Sequence, residues 1–261
     1  MKKVLIKGAG DLATGIAYRL SKCGFEIVMT ETAVPTTVRR TVAFSQAVYD
    51  SECVVEGMKA VLVHNMAEIE KAHDKKAIPV IVDEKAAIIN EYKPDILVDA
   101  IIAKRNLGTN IDQAKLVIGV GPGFTAGVDC HYVVETKRGH YLGKVITEGS
   151  AIPNTGVPGM INGYAAERII RALAEGEFSP IHHIGDTVEK GEIVATAGGV
   201  DIPALMPGII RGMLQEGVHV VPGMKCGDID ARCEYEYCFQ ISDKARSIGG
   251  GVLEAIMRAE N

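Results

Sequence analysis

Two glycine-rich segments carry the residue types best suited to chemistry in this chain. The first, Gly8-Ala9-Gly10-Asp11-Leu12-Ala13, has the spacing G-x-G-x-x-[GA]. There the first glycine permits a tight turn and the second lets a ligand phosphate approach a helix start, whose unpaired N–H groups favour an anion. An acidic residue about 20 positions further on would hold ribose hydroxyls, and Glu31 stands at that place. Asp11 puts a carboxylate where a pyrophosphate would sit, and like charges repel unless a cation or water separates them. As a cap of its own helix, Asp11 would leave the same frame without a dinucleotide. Arg39, beside Arg40, follows Pro35-Thr36-Thr37, where an arginine can meet a ribose 2′-phosphate or lie solvated.

The second segment is Gly119-Val120-Gly121-Pro122-Gly123-Phe124-Thr125-Ala126-Gly127, followed by Asp129, Cys130 and His131. Successive amides of a glycine loop can cradle an anion, which makes Gly121, Gly123, Thr125 and Asp129 ligand-binding candidates. Cys130 beside His131 has the composition of a thiolate and its base. Neighbours on a strand face opposite ways, however, so a buried Cys130 is the simpler reading, and Asp129 with His131 is the pair on one face. Residues 149–156 read as an ordered binding loop with Asn154 and Thr155 near its tip. No nucleophile and base are arranged clearly enough to name a catalytic residue. The adjacent His182 and His183 diverge, and Cys233 with Cys238 is a weak pair, so no metal site is assigned.

The elements that must position these groups follow from the apolar runs. Residues 4–6, 60–63, 79–82, 96–98 and 116–118 are continuous apolar stretches, as expected of strands covered on both faces in a parallel sheet. Residues 12–22 and 67–76 have helical character, residues 26–30 and 131–135 are β-prone, and a helix is expected around residues 164–174. In the last third, Gly185-Asp186-Thr187-Val188 to Val194 reappears in pattern as Gly217-Val218-His219-Val220 to Cys226. Such a duplicated β-turn-β unit resembles the barrel-sandwich hybrid of biotinyl and lipoyl domains. No lysine lies between Lys190 and Lys225, so a lysine-linked biotin or lipoate is not expected. The expected fold class is therefore α/β: a Rossmann-like parallel-sheet domain over residues 1–180, then a small β-rich barrel with a C-terminal helix over 181–261.

A net charge of −5 and a pI near 5.8 argue against a general nucleic-acid binder, which needs clustered Lys and Arg. The first apolar run breaks at Lys7-Gly8, too soon for a signal-peptide core or a membrane span, so a cytoplasmic protein with no membrane partner is expected. Six scattered cysteines without a CxxC pair point to free thiols.

Residues 7–15, 30–45, 119–131, 149–156 and 227–232 together resemble the YqeB-type proteins of selenium-dependent molybdenum hydroxylase systems. The first domain is also similar, at fold level only, to accessory proteins that handle molybdenum cofactor for xanthine dehydrogenase. The resemblance implies an accessory or maturation protein for a molybdenum hydroxylase, binding a nucleotide or molybdopterin-type cofactor. The alternatives are an NAD(P)-dependent oxidoreductase and a non-enzymatic scaffold docking a partner through the barrel; a homo-oligomer stays open.

Overall fold

Val4, Leu5 and Ile6 are fully buried in the computed structural model, which describes residues 1–154, 156, 160 and 162–260. They form strand β1 (Lys3–Lys7), which runs through the glycine turn into helix α1 (Asp11–Lys22) and on to β2 (Glu26–Glu31). The helix buries Ala13, Ile16, Ala17 and Leu20, the stripe expected of a helix covering a sheet. The chain divides into two compact units, Met1–Pro35 with Ala43–Thr155 and Ile241–Asn261, and Thr36–Val42 with Gly156–Gln240.

The first unit continues with β3 (Glu52–Val55), β4 (Met58–Val63), β5 (Ile78–Val82), β6 (Ile96–Asp99), β7 (Leu116–Val120), β8 (Thr125–Ala126), β9 (Tyr132–Val134), β10 (Val145–Ile146) and β11 (Gly149–Ser150). Helices α2 (Ala47–Asp50), α3 (Met66–Asp74) and α4 (Ile89–Tyr92) lie between them, and α5 (Asp243–Arg258) closes the chain. Nine of these strands form one sheet in the order β10-β9-β7-β6-β1-β2-β5-β4-β3. Strands β4 to β9 across its middle pair in parallel, whereas β3 with β4 and β9 with β10 pair antiparallel. Its core gathers Leu5, Val28, Leu97, Val117 and Phe124. Strands β8 and β11 pair separately.

The second unit contains β12 (Ile169–Arg171), β13 (Gly176–Pro180), β14 (Thr187–Val188), β15 (Ile193–Ala197), β16 (Val200–Pro203), β17 (Gly208–Met213), β18 (His219–Val220) and β19 (Lys225–Asp230). They make two separate four-stranded sheets, β12-β19-β17-β14 and β16-β15-β13-β18, in which every pair is antiparallel. The duplicated segments are real: each is a short strand, a glycine turn and a second strand, β14 to β15 and β18 to β19.

The expected Rossmann-like parallel domain followed by a biotinyl/lipoyl-like barrel is thus corrected to a mixed sheet plus separate antiparallel sheets. The hairpin β3–β4 turns at Glu56 and Gly57, both at positive φ (46° and 77°), which folds the edge back on itself. Strand β3 was hidden because Glu52-Cys53-Val54-Val55 is largely exposed and carries no continuous apolar run. In the second unit the ladders end at β12, β14, β16 and β18, so no hydrogen-bonded cylinder closes. The expected helix at residues 164–174 is also absent. Ala166–Arg168 is a single 3-10 turn, and the β-branched Ile169 and Ile170 pair with β19 instead. Finally, α5 belongs to the first unit, not to the second.

Helix α5 reaches that place by using small residues. A methyl group on Gly15 of α1 would lie 2.7 Å from Cβ of Ala245, and one on Gly249 would lie 2.9 Å from the Gly15 carbonyl oxygen, so the helices meet almost backbone to backbone. On the same helix a methyl at Gly251 would run into the Gly143 carbonyl oxygen, whereas one at Gly250 meets nothing within 4 Å. The two neighbours therefore predict opposite outcomes. Gly250→Ala should raise stability by about 0.5–1 kcal/mol through helix propensity, and Gly251→Ala should lower it by about 2–3 kcal/mol through overpacking. Urea unfolding of both variants measures the pair, and equal signs would refute this packing.

Candidate functional site

In the first unit, the carboxyl ends of β1 and β6 carry polar side chains that the fold buries. Lys7, the last residue of β1, is 6% exposed, and Asp99, the last of β6, is 2% exposed. Thr109 joins them: Lys7 Nζ donates to Thr109 Oγ1 at 2.8 Å, and that hydroxyl donates to Asp99 Oδ2 at 2.6 Å. Lys7 also donates to Gln113 Oε1 at 3.3 Å. Burial lowers the Lys7 pKa from its ordinary value, and the nearby carboxylates of Asp99 and Asp83 pull it part of the way back.

A second strand of this network reaches the second glycine segment. Asn106 donates to the Thr109 carbonyl at 2.7 Å and to Asp129 Oδ1 at 3.1 Å, while Asp129 Oδ2 accepts from the Thr125 amide at 2.7 Å. The Thr125 hydroxyl lies 3.0 Å from that of Ser150. Asp129 and Thr125, both predicted from sequence, therefore do come together. Asp129 and His131 do not: His131 Nδ1 accepts from the Val117 amide at 3.0 Å, and no hydrogen bond joins it to Asp129. Cys130 is fully buried and burial pushes its thiol up to about 11, which keeps it protonated and unreactive.

The glycines of both segments have a packing role. A methyl on Gly8, at φ 91°, would lie 3.0 Å from the Ala100 carbonyl oxygen. One on Gly123, at φ 115°, would lie 2.7 Å from the Arg105 backbone, and one on Gly121 would lie 2.9 Å from Thr136 Oγ1. Chain crossings thus require glycine here whether or not a ligand does. Gly10 is the residue before α1, with extended backbone (φ −64°, ψ −178°).

Glu31 sits at the end of β2 as expected, and its contacts are with the loop itself. Its Oε2 accepts from the Ala9 amide and its Oε1 from the Thr32 amide, each at 2.8 Å. Asp11 begins α1, and a cation that acts on it stands outside every motif of the sequence. Lys244, in the first turn of α5, is desolvated by burial, which lowers its pKa; Asp11 is the largest opposing influence, with Glu135 and Asp243 adding to it and Arg138 acting against it. Glu135, 2% exposed, accepts from the amides of Thr136, Lys137 and Ile152 at 2.7–2.8 Å and so pins the two flanking loops. Asn154 is exposed, and Thr155 lies outside the described residues.

Arg39 belongs to the second unit, where its Nη2 donates to the carbonyls of Tyr237 (3.0 Å) and Gln240 (3.1 Å). Those bonds hold a buried guanidinium in a structural position, different from the expected ribose-phosphate contact. Among the described residues, no group of three or more His, Cys, Asp or Glu is arranged to hold a metal, and no helix is long and apolar enough to cross a membrane. A hollow of about 410 Å³ opens at the amino ends of β1 and β2, between Lys2, Cys23, Phe25 and Met257, away from the polar network. Lys7, Asp99, Thr109, Glu135 and Lys244 were invisible as a set because each stands alone in sequence. A charged residue ending an apolar strand, as at Lys7 and Asp99, was the one local signal available.

No family model matches the chain. It is 51% identical over 254 residues, 97% of its own length, to a protein of Escherichia coli (strain K12) named "Uncharacterized protein YqeB". It spans 47% of that curated relative, about half its length. Among solved structures it is similar, at 10% identity, to an aspartoacylase family protein from Mesorhizobium loti (TM-score 0.27, covering 87% of this chain and 84% of that one). A succinylglutamate desuccinylase from Silicibacter sp. TM1040 is similar at 10% identity with a TM-score of 0.26, over 87% of this chain and 84% of that one. Overlaps this slight carry no argument about fold or reaction.

The two desolvated lysines set a pH dependence. With its folded pKa below the ordinary 10.5, each binds fewer protons folded than unfolded in the window ending at 10.5, so its contribution to stability rises with pH there and is lost as pH falls. The variant Lys244→Met should therefore show a flatter rise of stability with pH in that window than the parent, read from urea unfolding at a series of pH values. An unchanged slope would show that Lys244 titrates like a solvated lysine.

Proposed function

Because the chain is a YqeB-type protein, we propose that it serves as an accessory or maturation protein for a selenium-dependent molybdenum hydroxylase. In this reading it takes up a phosphate-bearing nucleotide or molybdopterin-type cofactor at the carboxyl ends of the sheet strands in its first unit. The observation that supports the reading is Lys244, a half-buried cation on α5 whose charge acts on Asp11 at the start of α1. Asp11 alone would repel a phosphate. With the positive charge of Lys244 acting on it, Asp11 becomes part of a near-neutral polar floor, on which the glycine turn and the positive end of the helix dipole favour an anionic group.

An ordinary NAD(P) enzyme fits less well. The Ala9 amide, in the middle of the glycine turn, is occupied by Glu31, so a pyrophosphate laid across the turn would face a carboxylate. Arg39 is bonded to carbonyls of its own unit, which removes the arginine expected for a 2′-phosphate. A cofactor whose phosphate contacts the Lys244 side of the turn, with its ring system beyond Asp129 and Thr125, meets neither objection. The chain's role would be custody and transfer of the cofactor, with the hydroxylase as its protein partner.

Calorimetric titration of the purified chain with a molybdopterin dinucleotide, a nucleoside triphosphate and NAD⁺ tests this. The pterin or nucleotide ligand should bind, NAD⁺ should bind more weakly, and Lys244→Gln should weaken the productive ligand by about tenfold or more, the worth of one charge-assisted hydrogen bond. Absence of binding by all three, or equal binding by Lys244→Gln, would remove the proposal's physical basis.

A further inference from the structure

The second unit holds a buried arginine that shares its nearest carboxylate, Asp230, with a second arginine, Arg232. Arg211, on β17, is 7% exposed. Its Nε donates to the Tyr237 carbonyl at a long 3.4 Å, and the nearest carboxylate oxygen, Oδ2 of Asp230, is 3.8 Å from that same nitrogen. Neither Nη atom makes a hydrogen bond with any described residue. Four of the five donors of its planar fork are thus left open to solvent or to a ligand, on a side chain that is otherwise enclosed.

The carboxylates nearby are committed elsewhere. Asp228 receives Arg168 through both oxygens, at 3.1 and 3.2 Å, and Asp230 receives Arg232 at 2.9 and 2.6 Å. Burial lowers the Arg211 pKa, the like charges of Arg39 and Arg232 add to that, and Asp228 and Asp230 oppose it. The backbone is irregular at the same point: the β17–β19 register shifts between Ile210 and Gly212, a bulge with Arg211 as its extra residue. Bulges re-aim side chains and recur beside binding sites. Arg232 stands at the accessible side of this group, its guanidinium 4.8 Å from the ring centre of Tyr237, which is 42% exposed.

We propose that Arg211, at the β17 bulge between Arg39 and Arg232, is the floor of an oxyanion site that takes the phosphate group of a ligand. A tetrahedral phosphate accepts two parallel N–H bonds from the guanidinium fork and adds negative charge where Arg39, Arg168, Arg211 and Arg232 share the two carboxylates of Asp228 and Asp230. Arg232 and the Tyr237 ring form the rim over which the rest of a phosphorylated molecule extends. This site lies in the second unit and is separate from the one proposed at Lys244.

Thermal unfolding of the full chain in inorganic phosphate, against sodium chloride at matched ionic strength, tests the site. About 10 mM phosphate should raise the parent's Tm by about 2–4 °C, the shift expected for millimolar binding to the folded state alone. Arg211→Gln should lose the shift, and Arg211→Lys, which keeps the charge without the fork and serves if the glutamine variant fails to fold, should lose at least half of it. Repeating the series in the Lys244→Gln background removes any contribution of the cofactor site, and the loss on substitution of Arg211 should be the same there. A parent without a phosphate-specific shift, a shift that survives in Arg211→Lys undiminished, or an equal shift from acetate would each overturn the assignment.

Discussion

The backbone contact between α1 and α5 at Gly15 and Ala245 is the constraint on which the first unit's polar chemistry depends. Asp11 lies one turn before Gly15 on α1, and Lys244 immediately precedes Ala245 on α5. That close helix contact sets a lysine of α5 within electrostatic reach of the glycine turn after β1 and leaves it half-buried. Small residues at positions 15, 245 and 249 are therefore as much a part of the site as the charged groups beside them.

The two units handle buried charge by different means. In the first, Lys7 and Asp99 are joined through the Thr109 hydroxyl, so each ion is satisfied without a direct pair and the assembly keeps acceptor capacity at its edge. In the second, Arg168 meets both oxygens of Asp228 and Arg232 grips Asp230 bidentately, while a further arginine, Arg211, shares Asp230 at a longer distance. Removing one partner of such a pair leaves a buried charge uncompensated, which costs far more than the pair itself contributes. The arrangement is expected where shape and charge must be held for recognition.

How far the sequence could be read follows from how local each signal was. The strand, glycine turn, helix and strand of residues 3–31 were legible because an apolar run, two glycines and a helical stripe stand in consecutive order. The YqeB-type resemblance was legible for the same reason, since its motifs are contiguous. The antiparallel edges were not, because Glu52–Val55 is half polar and its pairing depends on a two-residue turn. The missing helix at 164–174 shows tertiary context overriding local propensity: Arg168 is drawn into the buried pair with Asp228, and the strand follows it. Lys244 and Arg211 could not be found at all from spacing, since their meaning comes from what lies hundreds of positions away or across a bulge.

The discontinuity of the first unit bears on how the chain is made. Residues 1–35 and 43–155 leave the ribosome with α1 lacking its partner, and α5 appears only after all of the second unit has been synthesised. Closing so long an intervening segment carries an entropic penalty that grows only slowly with length, and it shrinks further if the second unit has already collapsed into its own fold. Until then the Gly15 face of α1 lacks the cover that Ala245 and Gly249 give it, so removing residues 243–258 would leave the first unit incomplete.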